Sequence, residues 1–176
     1  MPDSVAPHPE FADDAATLAP ITHERLVATL KNMELEFEEE EGLLSAVIEG
    51  GHPCWFTVTG PGDEDIALNV QARWWPSLDV SNLGIAFQTV NEWNGNQLFP
   101  RAITIPDEDD NCVFVADFTH DFDRGVTDQQ LENAVAVGVT TIMNFFEFLN
   151  AQFPDALDAD DDSNGGDNGD GILSQQ

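Results

Sequence analysis

Two rhythms of apolar and polar positions organise this chain. From 131 to 153 the apolar residues recur by threes and fours, and from 66 to 74 they alternate with polar ones. In the first stretch Leu131, Val135, Gly138, Ile142, Phe146, Leu149 and Phe153 make one helical stripe of the kind that packs on a sheet, and Pro154 stops it. Its start is marked twice. Thr127 and Gln130 have capping-box spacing, and Val126 with Leu131 has the spacing of a hydrophobic staple. In the second stretch Ile66, Leu68, Val70, Ala72 and Trp74 share one face of a strand and Asn69, Gln71 and Arg73 the other.

The remaining elements follow from the same reading. Thr22 caps a first helix, with Ile21 and Leu26 as its staple and Val27, Leu30 and Met33 on its apolar face. Leu35 and Phe37, then Leu44, Ala46 and Ile48, predict two strands broken at Gly50-Gly51; Trp55–Thr59 is a third, ending at Gly60-Pro61-Gly62. Asp79 or Ser81 caps a second helix with Leu83, Phe87 and Val90 on one stripe and Gly95 as a left-handed terminator. Phe99–Ile105 and Cys112–His120 predict a hairpin about a polar turn at 106–111, with Val113 and Val115 marking the second strand as central. The order is α-β-β-β-β-α-β-β-α, an α+β domain over residues 21–154. Residues 1–20 and 155–176 are rich in Pro, Asp, Asn, Gly and Ser without periodicity, and are expected to be disordered arms.

Composition narrows the partners. The chain has 176 residues, with 34 acidic against 5 basic ones, for a formal charge of −29. Phosphate binding needs clustered Lys and Arg, so neither nucleic acid nor an anionic membrane is an expected partner. The opening residues show neither a basic leader nor a signal-length apolar run, and no membrane-spanning run follows, which predicts a cytoplasmic protein. Cys54 and Cys112 lie in predicted strands without a CxxC partner, as small buried hydrophobes do.

The Asn91-x-x-Asn94 helix end, Pro100, the Asp/Asn-rich hairpin turn and a closing helix entered through Gly125-Val126-Thr127 occur in an order that resembles the YbjN-like domain, over roughly residues 22–153. That family is described as bacterial sensory transduction regulators. The resemblance implies a mainly antiparallel twisted sheet with helices packed on it, similar to the chaperones of type III secretion. Those chaperones are small, acidic, usually dimeric and non-enzymatic, and hold partner polypeptides.

Candidate chemistry is sparse. Asn91 and Asn94 could be ligand-binding amides, but helix-end capping explains them more simply. His120-Asp121-Phe122-Asp123 invites a metal, yet adjacent strand residues face opposite ways and no second His is near in sequence. Asp158, Asp160 and Asp162 begin like a calcium loop, but Ser163 stands where the turn needs Gly and Gly169 where the last acid belongs. Glu38 to Glu41 reads as an exposed acidic run, and Gly60-Pro61-Gly62 lacks the helix a phosphate loop requires. No catalytic residue, cofactor site or metal site is therefore assigned.

The expected function is a non-enzymatic protein-binding regulatory module, a homodimer with further protein partners. Its interface is expected on the second flank of the last helix, at Val137, Thr141, Phe145 and Phe148. An alternative is a small-ligand site or enzyme with a pocket near Trp75, Asn94 and His120. Another is a salt-adapted domain whose charge is environmental.

Overall fold

The computed structural model describes residues 17–61 and 65–158. Helix α1 (His23–Asn32) is followed by β1 (Glu38–Glu40), β2 (Leu43–Ile48), β3 (His52–Thr59), β4 (Ala67–Arg73) and a two-residue strand β5 (Leu78–Asp79). Helix α2 (Leu83–Asn96), strands β6 (Arg101–Pro106) and β7 (Asn111–Asp121), and helices α3 (Asp128–Gln152) and α4 (Pro154–Asp158) complete the order. This is the expected α+β succession, with β5 and α4 added.

All strand pairs are antiparallel and run β1-β2-β3-β4-β7, with β6 also on β7. Strand β7 is the central one. It pairs with β4 from Val115 to Asp121 and with β6 from Cys112 to Asp117 on its other edge, while β5 meets it at Asn111 and Cys112. The alternation in β4 holds: Leu68, Val70, Ala72 and Trp74 are fully buried beneath the helices, and Asn69, Gln71 and Arg73 lie on the uncovered face. Trp74 and Trp75 divide as one buried and one exposed ring, and the Trp74 indole N–H donates to Asn150 Oδ1 at 2.8 Å.

Helix α3 lies over β4 and β7 with the predicted stripe inward. A Cβ on Gly138 would sit 2.9 Å from a Phe118 ring carbon and 3.1 Å from Val70 Cγ2, so only glycine lets the helix come this close to the sheet. The capping box is made in both directions: the Gln130 backbone N–H donates to Thr127 Oγ1 and the Thr127 N–H to Gln130 Oε1. Thr22 caps α1 by accepting from the Arg25 N–H.

Four expectations change. Leu18–Pro20 belongs to the fold rather than to an arm, because Ala19 forms a bridge with Val126 and Arg25 donates to the Ala19, Pro20 and Val126 carbonyls and to Asp128. Gly125 permits that approach, with φ +87 and the Ala19 carbonyl 3.1 Å from where a Cβ would stand. At the other end, α4 continues past residue 154 and Ala156 packs against the core. The second helix buries Ala86, Thr89, Val90 and Trp93, while Phe87 points outward at 47% exposure. Gly95 remains inside that helix, without a left-handed φ. The acidic run at 158–170 lies outside the described residues except Asp158, whose backbone closes α4.

Candidate functional site

Helix α3 has 25 residues and α2 only 14, while β7 has 11 and β6 only 6. Trp93 of α2 reaches Phe145 and Phe148 in the C-terminal half of α3, with ring centroids 5.1 and 5.4 Å apart. Among the described residues no aromatic contact from α2 reaches the N-terminal half of that flank. Below it β6 stops pairing at Asp117, so Phe118–Asp121 pairs only with β4. Helix layer and sheet are thus both short at the same corner.

A cleft of about 600 Å³ occupies the corner. Its floor is Phe118, His120 and Phe122, successive side chains on the helix-facing side of β7 and its continuation. The His120 ring lies 6.2 Å from Phe118, nearly parallel to it, and 4.6 Å from Phe122. Gln129, Gln130, Asn133 and Val137 of α3 form one wall and Leu18 another. Phe99 lies 5.2 Å from Phe118 and extends the apolar surface out of the cleft. Leu18 at 55% and Val137 at 39% are exposed apolar side chains of the cleft, while Leu98 at 85% and Phe99 at 40% line a separate, smaller pocket with Arg101, Asp117 and Thr119.

The polar groups at this corner are amides, an imidazole and carboxylates. Gln129 and Asn133 are exposed, and on the other face of β7 Asp121 is exposed, accepting only from the Asp123 N–H among the described residues. Asp117 is engaged, accepting from Arg101 at 2.9 Å and from Asn69 and Thr119. Such a set can hold apolar groups and donate or accept hydrogen bonds. Among the described residues no three His, Cys, Asp or Glu side chains gather as a metal site would require, and His120 and Asp121 face opposite sides. Burial pushes the Cys54 thiol up to about 12 and raises Cys112 as well, with Asp79 and Asp107 adding to the latter, so neither is a ready nucleophile.

The sequence-predicted residues are only partly brought together. Of the expected flank, Phe145 is fully buried and Phe148 half-buried against Trp93, so α2 covers what was read as an interface. The Thr141 hydroxyl donates within its own helix to the Val137 and Gly138 carbonyls, and only Val137 opens to the cleft. Among the described residues Trp75, Asn94 and His120 are not gathered into one pocket. Trp75 follows the Arg73–Val115 end of the β4–β7 ladder and His120 pairs at the other end with Leu68, while Asn94 is occupied with β6. There its amide donates to the Ala102 carbonyl and accepts the Ala102 N–H, both at 2.9 Å. Asn94 therefore hydrogen-bonds a neighbouring strand and not its own helix end.

The cleft itself was missed. One signal for it was present: Phe118-x-His120-x-Phe122 carries the aromatic face of β7 beyond the length of its hairpin partner.

Comparison with known proteins places this geometry. No curated protein sequence matches the chain. A crystal structure of YbjN, a putative transcription regulator from E. coli, superimposes with a TM-score of 0.65 at 18% identity, covering 77% of this chain and 96% of that one. The family model described as "Putative bacterial sensory transduction regulator" matches residues 22–151. With both fold and family model in agreement over the described domain, the chain belongs to the YbjN family.

Proposed function

We propose that this domain is a non-enzymatic, cytoplasmic protein-binding regulator and that the corner cleft is where it holds its partner. The observation that carries this is the exposure of Leu18 and Val137 in a cleft where two elements both stop short, with Leu98 and Phe99 exposed beside Thr119 in a second pocket. Soluble domains seldom leave such a group of side chains uncovered without a partner. Helix α3 has the length and apolar content of a membrane span, but in this fold its apolar stripe lies on the sheet. The test is affinity capture from the native lysate with the wild-type chain and with Val137→Glu and Phe99→Glu. Both variants should fold and lose the same co-purifying proteins. Partners retained by both would remove the cleft from this role.

The homodimer is proposed on a different surface. Across the uncovered sheet face, strand register sets Val47, Pro53, Arg73, Val115 and Ile103 in one row, with Val47 73% exposed. Light scattering should show Val47→Glu weakening self-association, and a wild-type chain that stays monomeric at high micromolar concentration would refute the dimer.

A further inference from the structure

The direction of the backbone groups along β7 says how a partner would bind at the corner. Trp74 donates its N–H to the Phe114 carbonyl and Phe122 donates to the Ile66 carbonyl, so even-numbered residues of this strand point their N–H and C=O toward β4. Odd-numbered ones point the other way, toward β6. On β6 the parity agrees: Asn94 takes both backbone groups of Ala102, which therefore point away from β7, and Arg101, Ile103 and Ile105 point toward it. Beyond Asp117 the odd residues are Thr119 and Asp121, and β6 does not reach them. Among the described residues no backbone partner is recorded for their outward N–H and C=O groups. A short strand edge without recorded backbone partners thus runs beneath the cleft, with Leu98 and Phe99 beside it across a pocket at Thr119.

Resting on the reading of this corner as the partner site, we propose that the partner enters as an extended segment, adding a strand to β7 beside Thr119 and Asp121 in line with β6. An added strand has side chains alternating between two environments. Those on the helix side enter the cleft over Phe118, His120 and Phe122 and meet Val137, and so are apolar. Those on the open side lie beside Thr119 and the exposed Asp121 carboxylate, where a cross-strand Lys or Arg is favoured and an acid is not. The chain's charge of −29 selects the same sign at long range. The recognised element is a segment of alternating apolar and basic residues, read through its main chain as well as its side chains.

The experiment uses the full chain and a fluorescent, acetylated nonapeptide of alternating valine and lysine, with binding followed by anisotropy at low salt. Three related peptides accompany it: one with glutamate for lysine, and two N-methylated at alternate residues, in the two possible phases. The lysine peptide should bind and the glutamate peptide should not. One N-methyl phase should weaken binding about ten-fold or more, as loss of a hydrogen-bonded pair does, while the other leaves it intact. Thr119→Pro removes an N–H that no β4 ladder bond uses, together with the hydroxyl's bonds to Asn69 and Asp117, so Thr119→Val serves as its control: both variants should fold, and only the proline should lose the peptide. Asp121→Lys should narrow the preference for the lysine over the glutamate peptide, the rest of the chain's negative charge remaining. Equal binding of both N-methyl phases, together with a folded Thr119→Pro that still binds, would overturn strand addition while leaving the cleft as the site. If binding also survived Val137→Glu, the cleft reading would fail with it. No binding of the lysine peptide up to about 1 mM, or a peptide displaced by self-association of the chain, would overturn the extended basic partner.

Discussion

Asn94 shows how much a single side chain can do that its local sequence does not announce. Its position beside Gly95 reads as a helix end, yet its amide satisfies both outward backbone groups of Ala102 and so closes part of the β6 edge. Asn94→Ala should cost about 1 kcal/mol for each of the two bonds, read as a lower urea midpoint with unchanged slope. Asn94→Asp should cost more than Asn94→Gln, since a carboxylate cannot donate to the Ala102 carbonyl. His52 offers a second residue-scale test. It is buried against Phe146, with ring centroids 4.5 Å apart, and its Nδ1 accepts the Trp75 N–H at 2.9 Å. Burial lowers its pKa, so the folded protein keeps the imidazole neutral where the unfolded chain takes up a proton. Its contribution is therefore complete above the unfolded value of about 6.5 and is lost progressively as pH falls through and below it. The stability difference between wild type and His52→Gln should shrink from pH 7.5 to pH 5.5; a constant difference would show that the ring does not titrate with folding. Trp74 was legible as a core residue from alternation alone. The partners of Asn94 and His52 were not, because each bond joins residues whose proximity arises only when the sheet closes.

Whole elements were read more surely than their neighbours. Helix α3 kept its predicted start, stripe and stop, because capping, staple and periodicity all agreed. Thr127→Ala should lower stability by about 1 kcal/mol through the lost cap, and thermal unfolding with Thr127→Ser as the retained-cap control would check it. Helix α2 was read correctly at Val90 and Leu83 but not at Phe87. Its buried set is Ala86, Thr89, Val90 and Trp93, in which Thr89 is satisfied by donating to the Ile85 carbonyl, while Phe87 and Ile85 face out. Phe87 was placed inward for its size, but small Ala86 and Thr89 take the buried positions beside it, with Val90 and Trp93. The cleft was illegible for a related reason: periodicity reports which face a segment buries, but the corner arises from what does not lie alongside β7 and α3. Only the unequal lengths of paired elements record it, and those lengths depend on where β6 and α2 end in space.

At the scale of the molecule the excess of 34 acids over 5 bases means that few carboxylates have a cationic neighbour, so the folded state carries self-repulsion that salt can screen. Arg25 is the cation with the widest role. Its guanidinium donates to three carbonyls and to the Asp128 carboxylate at 2.6 Å, joining Leu18–Pro20 to the turn before α3. Screening and clamping respond differently to ionic strength. Self-repulsion over the surface weakens as the Debye length falls from about 10 Å at 0.1 M salt to about 3 Å at 1 M. Hydrogen bonds from a partly buried guanidinium to carbonyl oxygens are far less sensitive. The urea midpoint should therefore rise steadily with sodium chloride, urea being used because it adds no ions of its own. Arg25→Met should lower the midpoint by an amount that stays nearly constant along the same salt series. A midpoint that is flat in salt would mean the acidic surface is already relieved in the native state and would dispose of the salt-adapted reading. An Arg25→Met deficit that vanished at high salt would show that its pairing with exposed Asp128, and not the carbonyl bonds, holds the amino-terminal segment in place.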